Sequence, residues 1–354
     1  MVGYSFRKGG IETFIDNVLQ DINSKEFEII LSLPEMVIDG KKWCRPENRH
    51  NYLKWHLFWS SFFAENKFDA IYYNTCDVVS IDMLRFAKRA NVPIRIIHSH
   101  ITGNMRTLES KQRLFHAISE KINKSVLCNY ATHLLACSQE AGYYLFGRDK
   151  NFDVVKNGVS LSKYSFSESN RKRIRDTHNF YESDYVIGCI SSLSPAKNVF
   201  FSLDVFSQIA KTRNDIHLVF LGDGEKYHEL QEEIKRRRLS DRVILKGAVN
   251  NINEWVSALD CVLMPSFFEG LPFALVEAQA AGLPCVVSTG VPEEANLTGL
   301  LQFISLAESK ESWADTVISA CKKPRIDTTN ILVEAGYSME TTVRHIERIL
   351  LRAK

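Results

Sequence analysis

The chain has 354 residues, of which 45% are hydrophobic and 24% charged, with a formal net charge of +2. These proportions are ordinary for a globular protein with room for two domains. The chain contains no run of about 18 apolar residues and no apolar N-terminal core of a secretory signal, which excludes a membrane-spanning chain and predicts a cytoplasmic protein.

The first half of the chain alternates short apolar runs with spacers of helix length, a pattern typical of parallel α/β sheets. The pattern predicts strands at residues 68–73, 94–98 and 133–137 and a helix at about 111–130. An earlier helix is predicted to begin at Gly9-Gly10, where glycine amides can come close to a phosphate or an acceptor. A tight turn at a helix start is the alternative for that pair.

Two histidines, His98 and His100, lie at the carboxyl end of the predicted strand 94–98. An imidazole there can hydrogen-bond a transferred sugar or a leaving phosphate, whereas a histidine with a purely structural bond is the alternative. We predict that at least one of the two contacts a substrate.

Charge is divided unevenly along the chain. Residues 1–162 contain 21 Lys and Arg against 17 Asp and Glu, a net +4, and residues 163–354 contain 23 against 25, a net −2. The basic half favours an anionic acceptor or membrane surface over nucleic acid, with ordinary surface charge as the alternative. Segment 43–63 mixes seven aromatic residues with Lys and Arg, and it is predicted either to face a membrane or lipid-linked acceptor or to pack in the core.

The second half repeats the alternation, with predicted strands at 186–190, 217–221, 243–245, 261–264, 285–287 and 301–304 and helices at 200–210, 226–238 and 311–321. The polar stretch around 161–172 is predicted to be a linker. We therefore expect domains at 1–164 and 165–336, with a final helix within 337–354 that can pack back on the first. The fold class is α/β, with two doubly wound Rossmann-like domains facing across a cleft.

Segment 267–284 contains two glutamates, Glu269 and Glu277, eight positions apart. A helix is predicted to begin near Pro272, as its first residue, and to end before Gly282. Glu269 would lie beside the amides of the helix start, which attract phosphate, and Glu277 would accept hydrogen bonds from two vicinal hydroxyls. The segment therefore indicates a sugar-nucleotide site, with a capped helix and two solvated acids as the alternative.

Loops after other strands supply further candidates. Lys197 follows strand 186–190 at the entry to a helix, where its ammonium can contact diphosphate oxygens, and a solvated lysine is the alternative. The turn 222–224 is predicted to be structural, and the main chain at 246–247 to approach a base edge.

Several common motifs are absent from the sequence. There is no Asp-x-Asp pair and no His/Cys cluster at metal spacing, which favours a metal-independent reaction. The Gly-x-Ser-x-Gly elbow, the phosphate loop and the Gly-x-Gly-x-x-Gly fingerprint are also missing, which excludes the usual hydrolases, ATPases and dinucleotide enzymes. The eight cysteines are scattered singly, so we predict reduced core residues.

The order of the motifs resembles that of the retaining family 4 glycosyltransferases of the GT-B fold, and in particular the bacterial capsule and exopolysaccharide type. The resemblance covers nearly the whole chain and rests on Gly9-Gly10-Ile11-Glu12, His98 with His100, Asn157-Gly158-Val159, Lys197-Asn198, Gly222-Asp223-Gly224 and segment 269–277. It implies transfer of a hexose or N-acetylhexosamine from a nucleotide sugar, a UDP sugar, to a glycan or polyprenyl-diphosphate-linked acceptor, with retention and without metal or cofactor. It also implies peripheral contact at the inner face of the plasma membrane and no nucleic-acid partner.

The same resemblance implies a role for each motif. Glu277 would hold the ribose hydroxyls, Lys197 the diphosphate, and Glu269 with the following backbone the donor sugar and phosphate, while the leaving phosphate takes the acceptor proton. The predicted catalytic residues are His98, His100, Glu269 and Lys197, and the predicted donor-binding residues are Gly10, Ser192, Lys197, Glu269, Gly270, Leu271, Pro272, Phe273 and Glu277.

The sequence departs from the family pattern in two places. Ser191-Ser192 stands where the family usually has Gly-Arg, and losing one charge-assisted contact costs roughly 1.5–3 kcal/mol unless Arg7 or Lys8 replaces it. The apolar start at residues 2–6 is also short, which indicates a short first strand or a truncated start. The alternative hypothesis is therefore a degenerate, non-catalytic member that binds nucleotide or glycan. An epimerase on a similar fold is a third.

Overall fold

The computed structural model of the protein describes residues 10–33, 35–44, 52–75, 78–100 and 110–351, without the side chains of residues 52 and 110–116. As far as residue 157 the described elements are α1 (Gly10–Asp21), β1 (Glu35–Ile38), β2 (Lys41–Cys44), α2 (Tyr52–Glu65), β3 (Ala70–Thr75), α3 (Asp82–Arg89), β4 (Ile94–Ser99), α4 (Ser110–Val126), β5 (His133–Ala136), α5 (Gln139–Phe146) and β6 (Asp153–Val154).

The elements that follow are α6 (Leu161–Tyr164), α7 (Glu168–Thr177), β7 (Tyr185–Ile190), α8 (Val199–Ile209), β8 (Ile216–Leu221), α9 (Tyr227–Arg236), β9 (Val243–Gly247), α10 (Ile252–Ala258), β10 (Cys261–Met264), α11 (Phe273–Ala280), β11 (Cys285–Ser288), β12 (Leu301–Ile304), α12 (Lys310–Cys321), α13 (Thr329–Glu334) and α14 (Met339–Leu351). The chain forms two compact units, unit 1 of Met1–Asn157 with Met339–Lys354 and unit 2 of Gly158–Ser338.

Unit 1 contains a parallel sheet in which the described strands have the order β3-β4-β5-β6. The hairpin β1-β2 is antiparallel and separate from this sheet. Helix α14 packs against α1 in the same unit, and the backbone N–H of Asn23 donates to the Glu347 carboxylate at 2.9 Å.

The aromatic segment 43–63 contributes to the core of unit 1. Trp55, Trp59, Phe62 and Phe63 on α2 are buried in it, together with Trp43 on β2. Of the two predictions for this segment, packing in the core is therefore the one that these five side chains confirm. Residues 45–51 of the segment lie outside the described residues.

Unit 2 contains a six-stranded parallel sheet of order β12-β11-β10-β7-β8-β9. If the strands of the unit are numbered from β7 as strand 1 and the sheet is read from β9, this is the order 3-2-1-4-5-6 of doubly wound nucleotide-binding folds. The direction of the order reverses between β7 and β10. The strands are short apolar runs with β-branched residues, buried on both faces, as expected for a sheet covered by helices. Loops that leave β7 and β10 diverge at the reversal, which is where such folds bind their ligands.

The predicted linker at 161–172 is wrong, because this stretch forms α6 and the first half of α7. Ser167 caps α7 by accepting from the Asn170 N–H at 3.3 Å, and Arg171 on α7 forms an ion pair with Asp260 at 2.8 Å. Helix α7 therefore folds by pairing its arginines with a distant acid as well as by burying Ile174. Since α6 packs on α11, the division between units falls after residue 157 rather than after residue 164.

Seven of the eight cysteines lie in the described part of the chain, and none of these seven forms a disulfide. Cys137, Cys189, Cys261, Cys285 and Cys321 are buried, whereas Cys44 is exposed. None of the described helices combines the length and apolarity needed to cross a membrane.

Candidate active site

Two side chains of opposite charge meet at the point where the strand order of unit 2 reverses. Lys197 follows β7, Glu269 follows β10, and the Lys197 ammonium lies 2.5 Å from Glu269 Oε2. The Glu269 side chain is 5% exposed and that of Lys197 is 19% exposed. The lysine is therefore the member of the pair that a ligand can reach more easily.

The segment around Lys197 is shaped by a short 3₁₀ turn, Pro195–Lys197, that ends at Asn198 in the left-handed region with φ 53°. This turn leads directly into α8, so Lys197 stands at a helix start as predicted from the sequence. Ser192, which stands where the resembled family has arginine, is exposed, and its hydroxyl donates to Ser194 Oγ at 3.4 Å. Arg7 and Lys8, named as substitutes for that arginine, lie outside the described residues.

The turn between Glu269 and α11 is accessible. Gly270, Leu271 and Pro272 are partly exposed, whereas Phe273 is buried at the start of the helix. Pro272 is the N-cap residue, with φ −72° and ψ 127°, rather than the first helical residue as predicted. A Cβ added at Gly270 would meet no atom within 4 Å, so a ligand has room beside this backbone.

Glu277 lies in the second turn of α11 and is 5% exposed. Burial raises the pKa of its carboxyl to about 7, against smaller lowering effects of a hydrogen bond from Tyr164 and the charge of Lys163. Tyr164 is itself buried, at the end of α6. The second acid of the segment is therefore close to half-ionised at neutral pH, with a tyrosine hydroxyl beside it.

The two predicted histidines lie in unit 1. His98 is fully buried at the end of β4, where its Nδ1 lies 2.9 Å from the Tyr72 hydroxyl. His100 is half-buried, and its Nε2 lies 2.9 Å from Asn74 Oδ1. The two rings have centroids 4.0 Å apart, and each packs 5.0 Å from Phe14 of α1.

Both histidines are neutral at physiological pH. Burial, with the charge of His100 as the next cause, lowers the pKa of His98 well below its usual range, and burial lowers the pKa of His100 to about 3. Of the two, His100 is the one with a solvent-accessible surface. Gly10 begins α1 and is exposed, whereas Gly9 lies outside the described residues.

The loop after β8 is structural at its glycines, as predicted. Gly222 has φ +155°, and a Cβ there would lie 1.9 Å from the Ser191 carbonyl oxygen, while one at Gly224 would lie 2.5 Å from the Leu193 carbonyl oxygen. The loop after β8 therefore packs directly on the loop that leads to Lys197. The Gly247 carbonyl accepts from the Gly222 N–H at 2.9 Å, and a recess beside the two loops is lined by Asp223, Gly224, Tyr227, His228 and Gly247.

Two residues in the site were not predicted from the sequence, Ser266 and Tyr164. The Ser266 hydroxyl donates to Glu269 Oε1 at 2.6 Å, and Tyr164 bonds Glu277 from a helix more than a hundred positions earlier in the chain. The three-residue spacing of Ser266 and Glu269 was a usable indication, but nothing in the sequence pairs Tyr164 with α11.

Comparison with known proteins shows which proteins this chain resembles. The family model "Glycosyl transferases group 1" matches residues 170–339, which contain Lys197, Glu269 and Glu277. EpsF of Bacillus subtilis (strain 168), named as a glycosyltransferase, is 31% identical over 265 residues, covering 73% of this chain and 68% of EpsF. The Escherichia coli enzyme named UDP-Gal:alpha-D-GlcNAc-diphosphoundecaprenol alpha-1,3-galactosyltransferase is 25% identical over 209 residues, covering 57% of this chain and 53% of that enzyme.

Solved structures share the fold at low identity. HepE of Anabaena, determined in complex with UDP-glucose, matches with a TM-score of 0.71 at 19% identity, covering 99% of this chain and 98% of HepE. WaaG, a glycosyltransferase involved in lipopolysaccharide biosynthesis, matches with a TM-score of 0.64 at 13% identity, covering 97% and 93% of the two chains. These likenesses confirm the predicted GT-B fold.

Proposed function

Because the chain belongs to the group 1 glycosyl transferases, we propose that it transfers a hexose or N-acetylhexosamine from a UDP sugar to a hydroxyl of a glycan or polyprenyl-diphosphate-linked acceptor. The proposal includes retention at the anomeric carbon, independence of metal, and a role in cell-surface polysaccharide synthesis. It is supported by the UDP-glucose of HepE and by the UDP-Gal donor and diphosphoundecaprenol acceptor in the name of the E. coli relative.

The observation that best supports the proposal is Lys197 at the reversal point of the unit 2 sheet, 2.5 Å from Glu269. Ligands of doubly wound folds bind outside the carboxyl ends of the strands at this point. An ammonium held there stabilises the negative charge that develops on a departing diphosphate. In this proposal Lys197 supplies a charge that a metal ion supplies in other transferases.

The remaining roles in the proposal are those that the resemblance to the family implies. The carboxylate of Glu277 accepts hydrogen bonds from the ribose hydroxyls, and the backbone at Gly270 and Leu271 binds the donor sugar and phosphate. Neutral imidazole at His100, with His98 packed behind it, hydrogen-bonds the transferred sugar. Ser192 and Gly10 remain proposed donor-binding residues.

The proposed reaction does not use a carboxylate base. The bond between the anomeric carbon and the phosphate oxygen breaks, and the acceptor oxygen attaches on the same face. The acceptor proton passes to the leaving phosphate oxygen. UDP and the glycosylated acceptor are the two products. The protein's contribution is then positioning and electrostatic stabilisation of the diphosphate.

Peripheral membrane contact would use the outer face of α2. Four aromatic side chains of α2, Trp55, Trp59, Phe62 and Phe63, are in the core, but Leu53 and Leu57 are 68% and 56% exposed, with Lys54 between them also exposed. Two aliphatic side chains one turn apart beside a lysine suit the boundary of an anionic bilayer. This contact would hold the protein at the inner face of the plasma membrane, where a lipid-linked acceptor is found.

The experiment is a screen of UDP sugars by UDP release, with product mass and anomeric configuration determined for each donor that turns over. We expect turnover by the wild-type chain that persists in EDTA and is strongly reduced in Lys197→Ala and Glu277→Ala. Lys211→Ala and Glu232→Ala, at exposed positions of unit 2, are the matched controls. Equal activity in all four variants would refute the site, and an inverted product would refute retention.

A further inference from the structure

Both oxygens of the Glu269 carboxylate are bonded inside the protein. Oε1 accepts from the Ser266 hydroxyl at 2.6 Å and Oε2 accepts from the Lys197 ammonium at 2.5 Å. The residue is 6% exposed. Since a buried carboxylate with two internal partners has little surface to offer, Glu269 acts on a ligand through Lys197.

Lys197 has donors to spare. An ammonium has three N–H groups, and among the described residues Glu269 accepts the one hydrogen bond that Lys197 Nζ makes. The remaining two are available to anionic oxygens. The direction in which they point depends on where Glu269 holds the nitrogen, because the lysine side chain has four rotatable bonds of its own.

Ser266 is held rigidly enough to fix Glu269. It is 0% exposed, and its carbonyl oxygen accepts from the Ser288 hydroxyl. The next N–H, of Phe267, donates to the Ala196 carbonyl at 2.9 Å, which ties this loop to the turn that contains Lys197.

The loop after β11 supports Ser266 from its other side. The Glu269 N–H donates to the Gly290 carbonyl at 3.0 Å. A Cβ at Gly290 would lie 2.3 Å from the Phe267 carbonyl oxygen and 2.7 Å from that of Ser266, so the two loops are in backbone contact. Ser266 therefore stands on a segment whose main chain is bonded to the loops on both sides.

From this geometry, and resting on the proposed role of Lys197 at the donor diphosphate, we propose that Ser266 is a positioning residue for the transfer reaction. Its hydroxyl fixes the Glu269 carboxylate, and Glu269 in turn fixes the Lys197 ammonium toward the leaving diphosphate. Ser266 is too deeply buried to touch the donor, so its effect reaches the reaction only through this chain of contacts.

Ser266→Ala removes one hydrogen bond to a charged group, and we expect kcat/KM for the UDP sugar to fall roughly 10- to 100-fold. Most of the fall should be in kcat, since an ammonium that points away from the diphosphate fails mainly when the leaving charge develops. Binding of uridine, which has no phosphate, should be unchanged. Ser266→Thr keeps the hydroxyl and should be closer to wild type than Ser266→Ala.

The decisive measurement is a double-mutant cycle with Lys197→Ala. If Ser266 acts through Lys197, Ser266→Ala costs little more once Lys197 is alanine. The same loss in both backgrounds, or equal kcat in wild type and a folded Ser266→Ala, overturns the proposal. Ser257→Ala, which deletes another fully buried serine hydroxyl of unit 2, controls for loss of stability, and its kcat should stay near wild type.

A ligand-free readout separates this inference from the function proposed above. With isotopically labelled lysine, the Lys197 side-chain NMR signal, assigned from Lys197→Arg, should move in Ser266→Ala and stay in place in Ser257→Ala. An unmoved signal overturns the positioning role whatever the protein binds. Failure of wild type to bind UDP or release it from any UDP sugar would instead refute the proposed function, with the NMR result still deciding on Ser266.

Discussion

Replacing Glu277 with glutamine should change how the stability of the protein depends on pH. Burial raises the pKa of Glu277 from 4.5 to about 7 in the folded protein. Below pH 4.5 both the folded and the unfolded chain hold the proton, so the group contributes nothing. As the pH rises to 7 the unfolded chain releases its proton while the folded protein keeps it, so the free energy of unfolding falls until both states are ionised, and above that pH the full penalty remains.

The size of this penalty follows from the shift in pKa. Each unit corresponds to about 1.4 kcal/mol, so the wild type should lose roughly 3 kcal/mol of unfolding free energy relative to Glu277→Gln between pH 4 and pH 8. Glutamine does not titrate, and any cost of burying its amide is the same at every pH. The prediction therefore concerns the change with pH in the difference between the two proteins and not its absolute value.

Urea unfolding of both proteins at intervals between pH 4 and pH 8 measures this difference. Glu308→Gln, at an exposed position of the same unit, is the control and should run parallel to the wild type. If the profile of Glu277→Gln also runs parallel to that of the wild type, burial does not raise the pKa of Glu277. Glu277→Gln should at the same time bind UDP more weakly at pH 8, because it cannot offer an ionised acceptor to the ribose.

Three further outcomes are expected. UDP affinity of the wild type should fall about tenfold between pH 8 and pH 6 as Glu277 takes up its proton. Tyr164→Phe should move the midpoint of this change to higher pH, because the Tyr164 hydrogen bond lowers the pKa of Glu277. Calorimetric titrations that give the same midpoint for both proteins would contradict the contact between Tyr164 and Glu277. Lys197→Met should lower kcat/KM for the UDP sugar roughly 100-fold, measured by UDP release. A variant that binds UDP as tightly as the wild type does but binds uridine more weakly would contradict a diphosphate role. Replacing Leu53 and Leu57 with glutamate should reduce co-sedimentation with anionic vesicles without changing turnover of a soluble acceptor, and unchanged sedimentation would exclude this face of α2.

Most of the second unit could be predicted from local patterns. Strands 261–264 and 301–304 were predicted with the observed ends, because each is a short apolar run between turn residues. The helix after Glu269 was predicted to within a residue of its start, and proline and glycine mark its two ends. Local patterns also placed Lys197 at a helix start after a strand, which follows from the alternation of strands and helices.

The contacts that hold the site together could not be predicted in this way. Arg171 and Arg175 form α7 around Asp260, which lies 89 and 85 positions further along the chain, so a polar stretch with the composition of a linker folds as a helix. The degree of burial of His98 was also hidden, because its position on β4 shows that it reaches the strand end but not that Phe14 of α1 covers it. Each of these features depends on residues brought together by the sheet rather than by the local sequence.

The strand order of unit 2 explains why the two acids of segment 267–284 have different partners. Strands β7 and β10 are parallel, hydrogen-bonded neighbours, so the chain that follows β7 lies beside the chain that follows β10, whereas α6 comes near Glu277 by packing directly on α11. Lys197, after β7, pairs with Glu269, and Tyr164, two elements before β7, bonds Glu277. One acid therefore fixes a cation, while the other is a buried acceptor whose pKa lies near neutrality. Since the two have different internal partners, exchanging Glu for Gln at the two positions should have different consequences: loss of lysine placement at 269 and loss of a pH-dependent acceptor at 277.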